Sequence, residues 1–144
     1  MATTTATITL ASADLLSDNL SLSATQTLHK AGTTTGLDGI QYEMGKVVIP
    51  SSDTNNILID STASGVDKAS RVYIINKNTN EAHYVQVAIN GAVLGRLYSG
   101  DWMFIPWNQS SSGADIEVVC PADLGTSCDV EYALFHQGKS LSAA

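Results

Sequence analysis

The sequence predicts an all-β fold, a single-domain β-sandwich or jelly roll of about nine or ten short antiparallel strands with an extended N-terminal arm. Three observations predict it. Apolar and polar residues alternate at period two along most of the chain. Turn-forming clusters separate these runs at short intervals. No apolar pattern at the 3.6-residue helical period lasts for three turns.

The elements follow in order. Ile8 and Leu10 alternate with Thr7 and Thr9, so residues 1–11 read as a Thr-rich strand or extended arm. Residues 12–17 can form one helical turn with Ser12 as its cap. Leu20, Leu22, Ala24 and Leu28 mark the next strand, and the Thr/Gly-rich segment 32–39 is a loop. The runs 47–49, 57–59 and 72–75 are continuously apolar, as in strands covered on both faces or lying at a subunit contact. Residues 50–56 are polar and turn-rich, and 76–80 read as a polar hairpin loop. Val85, Val87 and Ile89 mark a strand that runs into Asn90-Gly91, the strongest hairpin signal in the chain. A strand at 102–107 stops near Pro106, and a Ser/Gln loop follows at 108–113. Ile116 and Val118, then Val130, Tyr132 and Leu134, close the pattern before a C-terminal tail at 138–144. No internal repeat or linker divides residues 1–144, which read as one domain.

The chain has 144 residues, enough to bury roughly 70% of its unfolded surface without metals or disulfides. Charged residues make up only 15% and hydrophobic residues 44%, the reverse of a disordered composition. Thr, Ser, Ala, Asn and Gly dominate what remains, so much of the surface is neutral and polar. Such a surface loses little on desolvation and suits contact with other protein. The net charge is −7, and the bases Lys30, Lys46, Lys68, Arg71, Lys77, Arg96 and Lys139 are scattered. No basic patch calls for nucleic acid. No stretch approaches the ~20 apolar residues of a membrane span, and residues 1–11 lack the basic and apolar regions of a signal peptide. A protein made and kept in a cytoplasm, or leaving it by a route such as cell lysis, is expected.

Candidate chemistry is sparse. His29, His83 and His136 are far apart in sequence and carry no motif. No Gly-x-Ser-x-Gly elbow, Ser-x-x-Lys pair or phosphate loop occurs. Asp53, Asp60, Asp67 and Asp115 do not have the spacing of a calcium loop. Cys120 and Cys128 fit no zinc spacing; they read either as two small buried thiols or as a disulfide closing the loop between them in an oxidising compartment. No cofactor, metal or small-molecule ligand is expected.

The densest segment is 100–108, Gly-Asp-Trp-Met-Phe-Ile-Pro-Trp-Asn, which holds both tryptophans of the chain. On a strand, Trp102 and Phe104 share one face, while Met103, Ile105 and Trp107 share the other. One face filling the core and the other lying under a loop explains this. So does an oligomer interface, where aromatics and Met are enriched. Sugar stacking on Trp107 is a third reading.

The order of these segments resembles a known family. It runs from Val-Tyr-Ile-Ile-Asn-Lys-Asn at 72–78 to Tyr-Val-Gln-Val-Ala-Ile at 84–89 and Gly-Arg-Leu-Tyr-Ser-Gly-Asp-Trp-Met-Phe-Ile-Pro-Trp at 95–107. Asp-Ile-Glu-Val at 115–118 and Val-Glu-Tyr-Ala-Leu-Phe at 130–135 complete it. This pattern, with the Thr-rich opening, is similar to small structural proteins of marine and cyanobacterial tailed phages, over about half the chain. The resemblance implies a non-enzymatic virion component assembled in the host cytoplasm. Its favoured form is a capsid decoration, or cement, protein, often a homotrimer, with the major capsid protein and copies of itself as partners. The regions expected to make contact are the arm (Thr3, Thr5, Thr7, Ile8, Leu10) and the aromatic strand (Trp102, Phe104, Trp107). A tail, fibre or collar component is the first alternative. A carbohydrate-binding β-sandwich module and a small jelly-roll enzyme are the others.

Overall fold

The computed structural model describes residues 3–15, 17–30, 32–37, 39–61, 67–109 and 114–136. The expected tail at 138–144 and loop residues 110–113 lie outside them. The described residues form ten strands: β1 (Thr4–Ser12), β2 (Leu20–Leu28), β3 (Gly39–Ile49), β4 (Ser52–Ile59), β5 (Asp67–Asn76), β6 (Tyr84–Ile89), β7 (Ala92–Tyr98), β8 (Trp102–Gln109), β9 (Ile116–Cys120) and β10 (Cys128–His136). Among the described residues the only helical piece is the short 3₁₀ turn Ala122–Leu124.

The strands form a two-stranded ribbon, β1-β2, and two four-stranded antiparallel sheets, β3-β10-β5-β8 and β4-β9-β6-β7. The pairing in the body is nested: β3 with β10, β4 with β9, β5 with β8 and β6 with β7. The chain from β3 to β10 is thus one long double ribbon rolled so that successive pairs fall in alternate sheets. This connectivity is that of a jelly roll.

The core lies between the two sheets because every body strand turns one apolar row inward. Val72 and Ile74 of β5, with Val130 and Leu134 of β10, meet Val85 and Val87 of β6, with Ile116 and Val118 of β9. All eight body strands contribute a buried residue to this core, and β1 and β2 contribute none. At roughly 1.5–3 kcal/mol per buried large aliphatic side chain, it is the main source of stability.

Asn76 is the polar exception in this interior. It is fully buried at the end of β5. Its Nδ2 donates to the Leu97 carbonyl on β7 at 2.9 Å, and its Oδ1 accepts from the Asn78 N–H at 2.9 Å. Its backbone N–H donates to the Asp101 carbonyl at 3.0 Å, and its own carbonyl accepts from the Gly100 N–H at 2.9 Å. One residue therefore ties the first sheet to the second and anchors the turn that leads into β8. Buried polar groups survive when satisfied in this way.

The Asn90-Gly91 hairpin forms as expected. Both residues have positive φ, 49° and 78°, as a type I′ turn requires. Three expectations are corrected. Residues 76–80 do not close a hairpin; β5 and β6 lie in different sheets, and the segment crosses between them. Alternation marks which face of a strand is buried and is silent on its partner. The N-terminal strand is not a lone arm, because β2 pairs with β1 along nine residues in unbroken register. No helical turn forms in the described part of 12–17. Ser12 Oγ instead accepts the Leu15 N–H at 3.1 Å and donates to Asp14 Oδ1 at 3.0 Å, stabilising the bend after β1.

Replacing Asn76 with Ala orphans the Leu97 carbonyl and the Asn78 N–H in the interior. At about 1–3 kcal/mol for each unsatisfied group, unfolding free energy in urea should fall by about 2–4 kcal/mol. Asn76→Asp, which keeps the shape but loses the donor, should lose at least as much. A loss below about 1 kcal/mol in both variants contradicts the anchoring role.

Candidate interaction surface

The ribbon is two-faced. Its register places Ala6, Ile8 and Leu10 of β1 beside Gln26, Ala24 and Leu22 of β2 on one face. The other face carries Thr5, Thr7 and Thr9 beside Thr27, Thr25 and Ser23. Thr7 and Thr25 are hydrogen-bonded through their hydroxyls at 3.0 Å. Strict alternation of Thr with Ala, Ile or Leu dictates this split, since period two sends alternate side chains to opposite faces.

The apolar face docks at its base only. Leu28 and Leu37 are buried there, packed with Ala6, Phe104 and Phe135. Phe104 and Phe135 meet edge to face with centroids 6.2 Å apart. Farther along the ribbon the same face emerges into solvent: Ile8 is 45% exposed, Leu10 50% and Leu22 55%. Isolated two-stranded ribbons are marginal in water, so this half lacks the cover that would hold it.

Between ribbon and body lies a cleft of about 710 Å³. One wall is the apolar ribbon face. The other is the outer face of the β3-β10-β5-β8 sheet, where Met44, Tyr73, Trp102, Phe104 and Phe135 stand around Arg71. Antiparallel sheets commonly turn a polar outer face to water. Here Tyr73 and Ile75 of β5 oppose Phe104 and Trp102 of β8 on the outside. That accounts for the continuous apolar run at 72–75: its strand is apolar on both faces. Met44 has φ of 61°, a left-handed conformation rare for a bulky residue, at the irregularity where β3 meets β10 between Tyr132 and Leu134. Its side chain lines the cleft.

The sequence placed the faces of the aromatic strand correctly. Trp107 lies in the core, 4% exposed, with its indole N–H donating to the Ala114 carbonyl at 2.6 Å. Met103 and Ile105 pack beside it, while Phe104 turns toward the ribbon and Trp102 is half exposed. Trp107 is therefore removed from the expected contact residues. Its burial also ends the reading of Trp107 as a sugar platform. Thr3, Thr5 and Thr7 are exposed; the latter two belong to the hydroxyl face of the ribbon and also border the cleft, while Ile8 and Leu10 lie on the apolar face. Sequence reasoning missed β2 as the partner of the arm, although its Leu20, Leu22, Ala24, Leu28 row matches the apolar row of β1.

The remaining polar candidates have structural partners. Asp115 Oδ1 accepts the Ser61 N–H at 2.8 Å and the Ser61 hydroxyl at 2.7 Å, joining the end of β4 to the start of β9. Asp53 accepts the Ala122 N–H at 2.9 Å. The side chain of Asp67 lies outside what is described. Among the described residues, no group of three or more His, Cys, Asp or Glu side chains is placed to hold a metal ion. Cys120 and Cys128 are free and buried, with Sγ atoms 2.8 Å apart. Burial pushes the Cys120 thiol up to about 12, and its hydrogen bond to Cys128 adds to the shift.

Compared with known proteins, the chain matches no family model, no curated protein and no solved structure.

Two outcomes are expected. Phe104→Ala removes a partly buried clasp under the ribbon, so amide exchange in β1 and β2 should accelerate about tenfold, in line with part of the ~1.5–3 kcal/mol of a fully buried Phe, while β9 and β10 keep their protection. Cys120 remains protonated in the folded state up to pH ~12, whereas an unfolded thiol ionises near 8.5. Its contribution is therefore intact below pH ~8.5 and is lost as pH rises toward 12. Thermal stability should fall across that window more steeply in the wild type than in Cys120→Ala.

Proposed function

We propose that the chain is a non-enzymatic structural protein of a phage virion, a capsid decoration or cement protein that stabilises the head shell by binding capsomers. The observation that carries this reading is the two-faced ribbon standing off a jelly-roll body. It offers an uncovered apolar face, a hydroxyl face and unprotected strand edges, all suited to protein contact. Neither β1 nor β2 contains a charged residue, proline or bulge, the usual devices that keep edges from pairing. Main-chain pairing along such an edge needs no special side chain, which suits a sequence without a chemical motif. Many weak contacts repeated by shell symmetry then give avidity without one strong site. The partners are the major capsid protein and copies of the chain itself, as a homotrimer, in a virion assembled in the host cytoplasm. The likeness of segment order to small phage structural proteins supports this choice, and jelly rolls recur in viral capsid domains. Because jelly rolls also serve lectins and enzymes, the ribbon and not the fold carries the argument.

A tail, fibre or collar position uses the same surface at another place in the virion. A sugar-binding reading has one observation in its favour: Trp102, half exposed, lies with its ring centroid 6.4 Å from that of Tyr73 on the cleft wall.

The test is co-sedimentation with expanded, emptied phage shells. Full-length protein should pellet with shells at saturable stoichiometry. A variant lacking residues 1–28 should keep a folded sandwich, because the main core uses no residue of β1 or β2, and should stay in the supernatant. Normal binding by the truncated protein, or none by the full chain, overturns the reading. Pelleting with purified tails instead of shells selects the tail position, and binding to a glycan array lost in Trp102→Ala selects the sugar reading.

A further inference from the structure

We infer that Cys120 and Cys128 are a site of covalent modification, an oxidisable pair whose disulfide staples the two sheets of the sandwich together. This is independent of what the ribbon meets.

Topology brings the pair together. Cys120 ends β9 in one sheet, and Cys128 opens β10 in the other. Their cross-strand partners are Ser52 at the start of β4 and Ile49 at the end of β3. Both arms of the rolled double ribbon therefore cross between the sheets at one corner, and the two cysteines flank that crossing. Both side chains belong to the core. Their Sγ atoms are 2.8 Å apart, inside the about 3.5–4.0 Å at which non-bonded heavy atoms settle. A disulfide has its sulfurs about 2.05 Å apart, so the two close by less than about 1 Å.

The chemistry of the surroundings selects a disulfide over other uses of two thiols. The chain has two cysteines, so no third thiol competes for either. A structural zinc takes four ligands, and among the described residues no third His, Cys, Asp or Glu joins the pair.

The fold also gates the reaction. Both cysteines are buried, and burial holds the Cys120 thiol protonated, whereas the thiolate is the attacking form. Their cover is the segment 121–127, in which Ala122, Asp123, Gly125, Thr126 and Ser127 are exposed. A few bonds hold it down: Asp53 Oδ1 accepts the Ala122 N–H at 2.9 Å, and the Ser51 hydroxyl donates to the Pro121 carbonyl at 3.2 Å. Short exposed segments of this kind open without global unfolding. Opening frees a thiol that ionises near 8.5. The oxidant is a small disulfide of the oxidised-glutathione class. One cysteine thiolate attacks it, forms a mixed disulfide and expels one glutathione thiolate. The second cysteine thiolate attacks the cysteine sulfur of that mixed disulfide and expels the other. Two thiols become one S–S bond, and the two electrons and two protons they lose leave on two molecules of reduced glutathione. Once the segment closes again, a reductant reaches the bond only by the same opening.

The test equilibrates the full chain, purified under reductant, with equal amounts of oxidised and reduced glutathione. Alkylation, intact mass and peptide mapping then count the thiols and locate the link. Two free thiols should become none, with a single link between Cys120 and Cys128 inside one chain. The melting temperature should rise by roughly 5–15 °C, as closure of a short loop gives in a domain of this size. Asp53→Ala, which loosens the cover by one hydrogen bond, should speed oxidation about 2- to 10-fold and leave the end point unchanged. Cys120→Ser and Cys128→Ser should show no rise in melting temperature with oxidant. The wild type is also oxidised in mild urea, so that slow opening does not mask the reaction. Thiols that persist there, links formed only between chains, or a melting temperature unchanged or lowered by oxidation overturn the inference.

Discussion

The buried amide of Asn76 is the constraint on which the rest of the arrangement depends. Two sheets that share an apolar core can slide, because hydrophobic contact has no direction. A hydrogen bond from β5 across to the Leu97 carbonyl does have one. It fixes where the sheets stand along each other, and the backbone bonds of the same residue fix the 98–101 turn. Asp101 strengthens that turn by accepting the Tyr98 N–H at 2.9 Å. The phase of β8 follows, and with it the assignment of Trp107 to the core and of Phe104 and Trp102 to the outer face. The cleft exists because that phase is set.

How much of this was legible in the sequence depends on what alternation encodes. Period two reports which side chains share a face, so the split of 102–107 into core and outer rows could be read from the residues alone. Asn90-Gly91 was legible because φ above zero at two consecutive positions restricts the residue types. Strand partners were not legible. Residues 76–80 look like a hairpin loop locally, and only the nested pairing of β5 with β8 and β10 turns them into a crossing. The ribbon is half legible: the alternation of β1 marks an exposed strand, but its pairing with β2 depends on matching two apolar rows across a bend. The place of Trp107 is not legible in this way, because an aromatic type signals burial without saying whether protein or partner supplies it.

The surface follows a division of labour set by charge. Charged residues occupy the body, as in the Lys46–Glu131 pair at 3.6 Å on neighbouring strands β3 and β10. With the Lys46 end of the pair in solvent it adds little stability, and net negative charge keeps the body soluble. The two strands of the ribbon are uncharged, with Asp14 and Asp18 confined to the bend between them, and its two faces differ in kind: one is aliphatic, the other a ladder of hydroxyls. An element built this way contributes little to the fold that carries it, which frees its sequence for the surface it meets.

The nested pairing also governs when the protein comes into being. β3, the first strand of the body, takes its place against β10, the last, so the sandwich cannot close until the ribosome has delivered β10. The β1-β2 ribbon is local and can form on the microsecond scale of hairpins, seconds before its body exists. During translation the newborn chain therefore presents an aliphatic ribbon with no floor beneath it. Neighbouring chains on the same message carry the same ribbon, so the element that later meets partners is also the first that must be kept from meeting them early.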